Sequence, residues 1–215
     1  MTKSILIGYM VGTPDSGIDK YIINFIQTIY KNDIKIGILT NKKTEFLMDL
    51  QNQYKFEIHE IPSLKRPVSQ VKEVMKIIKE NNYNITYFNV SEASNILGLL
   101  AAWLSKAEKR IVHSHSSSTD TKTLKEKIRY VVHLFCKQFL YLFANRHVAC
   151  STKAACWLYP KKFVNKNKVD LVFNFIDTNK FKYSISSRKE MRESFGIDED
   201  TLVLGHVANF FKVKN

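Results

Sequence analysis

Two histidines one residue apart, His113 and His115, end an apolar run and open onto a serine-rich stretch, Ser116-Ser117-Ser118. Alternate residues of a strand share a face, so both imidazoles can meet one ligand. Three chemistries fit the pair: metal binding as in HxH hydrolases, a hydrogen bond to a sugar hydroxyl with help in proton movement, or a structural bond to backbone. The metal reading has no evident third ligand, Asp120 being the nearest acidic side chain.

A second cluster is Thr13-Pro14-Asp15-Ser16-Gly17-Ile18-Asp19. Ser16 reads as an N-cap, and Asp19, three residues on, completes a variant capping box. The N–H groups of such a helix start can instead face a phosphate or a sugar hydroxyl, though Asp19 would oppose a bound anion. The spacing is not GxGxxG, so the dinucleotide fingerprint is absent.

A third is the segment 122–146. It carries Lys122, Lys125, Lys127, Arg129, Lys137 and Arg146 against Glu126, with Tyr130, Phe135, Phe139, Tyr141 and Phe143 interleaved. Its start reads as a dock for an anionic membrane surface, with rings at the headgroup level. Its middle reads as a buried crossover helix whose end lysines snorkel. Lys161, Lys162, Lys166 and Lys168 can extend the patch, and no nucleic-acid-binding motif accompanies the charge.

The elements that must position these groups alternate. Apolar runs at 5–7, 34–39, 85–88, 110–113, 147–150 and 169–173 read as strands, and 56–61, alternating with period two, as an edge or half-exposed strand. Ile18, Tyr21, Ile22, Phe25, Ile26 and Ile29 form one helical stripe. Further helices are expected after Pro67, over 96–104, over 122–144 and over 152–158. Repeated β-α order with continuous apolar strands implies a parallel sheet covered on both faces, a doubly wound, Rossmann-like α/β domain. Such sheets bind ligands at the carboxyl ends of their strands, where each cluster falls. The domain is expected to span 1–178. A polar linker follows at 179–200, with a helix from Ser186 to Phe195 stopped by Gly196. A fresh buried strand at 201–207 then looks like the first strand of a second domain covering 201–215.

The 215 residues hold 33 Lys and Arg against 20 Asp and Glu, a formal charge of +13. That suggests an anionic partner, or else a compositional bias toward Lys, Asn and Ile. Three cysteines without CxxC spacing argue against a disulfide framework or a zinc knuckle. No apolar run reads as a signal peptide or a membrane span. The expectation is a cytoplasmic protein, peripheral on the inner face of the plasma membrane.

Five segments in register resemble the GT-B-fold retaining glycosyltransferases of family four, of the capsular and exopolysaccharide type. They are Ser16-Gly17-Ile18-Asp19-Lys20-Tyr21-Ile22-Ile23-Asn24, Arg110 to Ser116, Ala149 to Leu158, Asn174 to Phe181, and Gly205 to Asn209 with Lys214-Asn215. The chain then looks like the N-terminal, acceptor-side half of a GT-B fold. Ser16 stands where the family carries its first loop glycine, and Asn209 where many relatives carry Arg. The resemblance implies transfer of a sugar from a nucleotide-sugar donor to a lipid-linked or saccharide acceptor, with retention, in bacterial cell-surface polysaccharide synthesis. It implies no cofactor and no required metal. His115 is placed near the reacting centre, Ser16, Gly17 and Asp19 on the acceptor and donor loop, and Asn209 and Lys214 on the donor diphosphate. Lys122, Lys125, Lys127 and Arg129 face the membrane. The alternative is a non-catalytic membrane- or partner-binding module derived from such an enzyme.

Overall fold

The computed structural model describes residues 3–119, 121–179 and 181–206. Seven strands form one parallel sheet: β1 (Lys3–Met10), β2 (Ile34–Thr40), β3 (Glu57–Glu60), β4 (Ile85–Val90), β5 (Lys109–Ser114), β6 (Arg146–Ala149) and β7 (Asp170–Leu171). Their order is β3-β2-β1-β4-β5-β6-β7. The chain winds outward from β1 to β3, returns to the other side of β1, and winds outward again from β4. That reversal between β1 and β4 is the switch point at which doubly wound sheets take their ligands. The Rossmann-like α/β fold is as expected, and β3 is an edge strand as its alternation implied.

The helices are α1 (Gly17–Ile29), α2 (Glu45–Tyr54), α3 (Pro67–Glu80), α4 (Leu97–Leu104), α5 (Leu124–Phe143), α6 (Thr152–Leu158), α7 (Lys161–Val164) and α8 (Ile185–Phe195). Helix α2 is absent from the sequence reading. β2 and β3 are parallel neighbours, with Ile38 opposite Ile58, so a crossover of about a dozen residues must join them. Its pattern is faint because Leu47 is its one fully buried side chain. Thr44 caps it, Oγ1 accepting from the Leu47 N–H at 3.3 Å.

Period-two alternation splits the core into two layers. Ile5, Ile7, Ile36, Ile38 and Tyr87 face Ile22 and Ile26 of α1 and Leu47 of α2. Leu6, Leu39 and Phe88 face Val74 and Ile77 of α3, Leu99 of α4 and Leu158 of α6. Each such Leu or Ile contributes about 1.5–3 kcal/mol by leaving water.

The chain divides into two units, Met1–Phe175 and Ile176–Asn215. Within the second, Ser184 caps α8 and Gly196 ends it at a φ of 63°, as its position implied. Arg188 pairs with Glu199 at 2.9 Å. The buried strand expected at 201–207 is not found over its described residues. Residues 201–206 have no strand structure, and Leu202 and Leu204 are 82% and 88% exposed. Val207 and the expected donor contacts Asn209 and Lys214 lie outside the described residues.

Candidate functional site

β1 passes to α1 through a loop built around Asp19. Ser16 Oγ accepts from the Asp19 N–H at 3.1 Å, so the N-cap forms as read. The reciprocal half of the capping box does not. The buried Asp19 carboxylate turns to the loop and accepts from the N–H groups of Val11 at 3.0 Å, Gly12 at 2.7 Å and Thr13 at 3.2 Å. A buried charge is tolerated when bonds of this kind satisfy it. Gly12 takes a φ of 82°, and a Cβ there would fall 2.7 Å from Thr44 Oγ1, so the turn requires glycine. Asp19 is therefore buried beneath the loop and shapes it from within. The N–H groups of Gly17 and Ile18 have no acceptor among the described residues. A Cβ on Gly17 would meet nothing within 4 Å. Two donors thus stand at an open helix start, the arrangement that suits an anion or a hydroxyl.

The histidines lie across the switch point from this loop. His113 is fully buried; its Nδ1 is 2.6 Å from Tyr87 Oη, which is 2.8 Å from Tyr21 Oη. The His115 ring packs on His113 with centroids 4.0 Å apart and on Tyr21 at 4.8 Å. His115 Nε2 is 2.9 Å from Asn89 Oδ1, while Asn89 Nδ2 donates to the Gly8 carbonyl at 3.3 Å. A carbonyl only accepts, so the Asn89 amide is oriented, its oxygen faces His115, and Nε2 carries the ring proton. Asn174, in the loop after β7, lies close enough to His115 to pull its pKa upward. Asn24 of α1 donates to the Phe175 carbonyl at 3.3 Å, and the Phe175 ring stands edge-on to Tyr21.

Burial pushes His113 down to about 3, the neighbouring His115 adds to that, and the Val172 backbone works against it. Burial pushes His115 down to about 4 against an upward pull from Asn174. Both rings are neutral at pH 7, and a neutral imidazole acts as a hydrogen-bond partner rather than a counter-ion. Burial raises Tyr21 and Tyr87, which stay protonated. Three separated segments, the start of α1, the end of β5 and the loop after β7, thus meet at His115. Asn89, 2% exposed at the penultimate position of β4, is a partner that the sequence reading of the site did not include. Among the described residues no three His, Cys, Asp or Glu side chains are grouped to hold a metal ion, and Asp120 lies outside them.

Helix α5 is the crossover between the parallel strands β5 and β6, but it is less buried than expected. Only His133 and Leu140 of its residues are fully buried. His133 anchors it, Nδ1 accepting from the Ala93 N–H at 3.0 Å while the ring stacks on Trp157 at 4.0 Å. Leu124, Ile128, Val131, Phe135, Phe139 and Leu142, spaced as one helical stripe, are all exposed, Phe135 at 67%. The middle therefore joins β5 to β6 with one face on the core, through Leu140, Cys136 and Phe143, and its other apolar face outward rather than buried. Lys122, Lys125 and Lys127 are exposed at its start. Arg129 is not free for a surface: Nε pairs with Glu92 at 3.2 Å and the guanidinium donates to Thr119 Oγ1 at 2.9 Å. Among the described residues no helix is long and apolar enough to cross a membrane.

A family model described as Glycosyltransferase Family 4 matches residues 16–180. A protein of Bacillus subtilis (strain 168) named as a glycosyltransferase, EpsF, is 25% identical over 213 residues, which cover 95% of this chain and 53% of that protein. The chain spans about half the length of this curated relative. Among solved structures, Anabaena HepE in complex with UDP superposes with a TM-score of 0.63 at 19% identity, covering 91% of this chain and 50% of its own. A glycosyltransferase from Rickettsia africae ESF-5 superposes at 0.59 and 12% identity, covering 93% and 51%. These neighbours share the Rossmann-like half of a GT-B architecture with this chain.

Proposed function

The chain belongs to glycosyltransferase family 4, and from that premise we propose that it is the acceptor-side half of a nucleotide-sugar-dependent enzyme. In this reading the enzyme transfers a sugar, with retention, to a lipid-linked or saccharide acceptor in bacterial surface polysaccharide synthesis. The observation that carries the reading is the convergence of Tyr21 and Asn24, His113 and His115, and Asn174 and Phe175 at the carboxyl end of the sheet. HepE was solved with UDP, which supports a nucleotide sugar as donor.

His115 is the group placed at the reacting centre. Its neutral ring directs the Nε2 proton at Asn89 and leaves the Nδ1 lone pair as an acceptor. A sugar hydroxyl reaching Nδ1 would donate to it and be oriented by it. The open N–H groups of Gly17 and Ile18, beside Ser16, would bond a diphosphate oxygen or an acceptor hydroxyl, with the positive end of the α1 dipole behind them. Asn209 and Lys214 keep their proposed role on the donor diphosphate. This division of labour calls for neither a metal nor another cofactor.

The test is transfer from radiolabelled UDP-sugars to a glycan acceptor. This chain alone is expected to transfer nothing, and the polypeptide encoded with about 150–200 further residues, one more domain, is expected to be active. In that longer enzyme His115→Ala should lower kcat about 100-fold or more. Full activity of the short chain, or an unchanged kcat in the variant, would overturn the reading.

A second reading concerns location, and the outward face of α5 favours it. Lys122, Lys125 and Lys127 beside the exposed stripe through Phe135 and Phe139 suit an anionic lipid surface on the cytoplasmic side. It applies equally to a non-catalytic module. Co-sedimentation with phosphatidylglycerol vesicles, lost in Phe135→Glu and absent with phosphatidylcholine, is the expected result; equal recovery with both lipids would refute it.

A further inference from the structure

One cavity at the carboxyl end of the sheet shares no residue with the histidine cluster. It measures about 250 Å³ and is bounded by Tyr9 and Val11 at the end of β1, Asn41 after β2, Leu64, Gln70 of α3 and Asn95. That is the share of about eight waters at ~30 Å³ each, the room of a single small ring.

Gln70 is 2% exposed, yet its Oε1 has no hydrogen-bond partner among the described residues. Buried amide oxygens are almost always paired, so an orphan lining a cavity points to a ligand that brings the donor. Asn41 spends Nδ2 on the carbonyls of Ile61 and Pro62, both at 3.2 Å, which leaves its Oδ1 as an acceptor. The Tyr9 hydroxyl, buried against Gly98, likewise has no hydrogen-bond partner among the described residues. The polar rim thus offers two acceptors, Gln70 Oε1 and Asn41 Oδ1, beside one unsatisfied hydroxyl, that of Tyr9, and the walls are the Tyr9 ring, Val11 and Leu64.

An anion is poorly served there, because amide oxygens repel it and Lys42 is the sole charged lining residue. A bare lipid phosphate is disfavoured for the same reason. A sugar ring matches: its hydroxyls donate around the edge and its C–H faces lie on apolar surface. We infer that this cavity holds one uncharged monosaccharide unit of the acceptor glycan. The inference rests on the transferase reading above and narrows its acceptor to a saccharide.

The test is a titration of the isotope-labelled chain with the methyl glycosides of glucose, galactose and N-acetylglucosamine, followed by NMR, with inorganic phosphate as the comparison. At least one glycoside should saturate with a Kd on the order of 1–10 mM, as befits a ligand of this size, and shift the side-chain amides of Gln70 and Asn41. Gln70→Met keeps the volume and removes the orphan oxygen; it should weaken binding at least about tenfold without lowering the melting temperature. Val11→Trp, at a position 62% exposed, should fill the cavity and abolish binding while the chain stays folded.

Failure of all three glycosides to saturate below about 100 mM, competition by phosphate, or binding that survives both variants would overturn the inference. The titration uses no donor, so it stands apart from transfer. If the longer enzyme carrying Val11→Trp transfers to its glycan with an unchanged KM, the cavity assignment fails and the transferase reading survives. If the longer enzyme transfers from no nucleotide sugar, that reading fails while the glycoside titration still decides the cavity.

Discussion

The histidine cluster and the outer face of α5 solve opposite problems with the same kinds of side chain. Around His115 the polar groups are buried and almost all partnered, from Gly8 through Asn89 and from Tyr21 through Tyr87 to His113. On α5 the apolar groups are exposed and without partners, from Leu124 to Leu142. A buried network keeps its geometry because each missing bond costs about 1–3 kcal/mol. An exposed apolar stripe costs the fold little and stores affinity for something else. Substitutions in the first region should therefore be read in stability and chemistry, and in the second in binding alone.

The largest expected effect separating the two is acid sensitivity. His113 and His115 have native values near 3 and 4, below the ordinary 6.5, so the unfolded chain takes up protons first as pH falls. Their contribution is fully present above pH 6.5 and is lost on going down, at about 1.4 kcal/mol per pH unit for each ring, levelling off near 4 and 3 as the native rings also protonate. Urea midpoints measured from pH 7 to pH 4 should drop steeply, and His113→Gln should flatten the slope. An equal slope in the variant would show that the cluster is not the acid-sensitive element.

Next comes Asp19→Asn, which replaces the carboxylate accepting three N–H groups with an amide that can accept on one side only. A loss of about 2–4 kcal/mol by denaturant unfolding is expected. A change within about 0.5 kcal/mol would mean that the loop keeps its shape without the charge.

The smallest effect belongs to α5. Phe135→Ser, at a side chain 67% exposed, should move the unfolding free energy by less than about 0.5 kcal/mol while vesicle binding weakens. A large stability loss would show that the face is covered in the folded protein and would erase the contrast.

The same contrast explains what was legible. The sheet was, because Ile5-Leu6-Ile7 and Ile36 to Leu39 are buried on both sides and announce themselves as continuous apolar runs. His115 was, because a polar pair at the end of such a run stands out. Its partners were not: Asn89 and Tyr87 read as ordinary strand residues, and nothing local says that Gly8 lies beside Asn89, a contact made across 81 positions. The face of α5 was misjudged because an apolar stripe looks the same whether it turns inward or outward. Gln70 gave no warning at all, since an amide in a helix is usually solvated, and only the packing of α3 over the ends of β1 and β2 hides it.

Asn89 joins three neighbouring strands, accepting from His115 just past β5, donating to β1 and standing on β4. Which imidazole nitrogen keeps the hydrogen is therefore decided by the direction in which a backbone carbonyl of β1 points. Replacing Asn89 with leucine would leave every strand where it is and still unlock the ring, so that two tautomers interchange where one was held. The polarity of the His115 imidazole is written into the main chain of a strand it never touches.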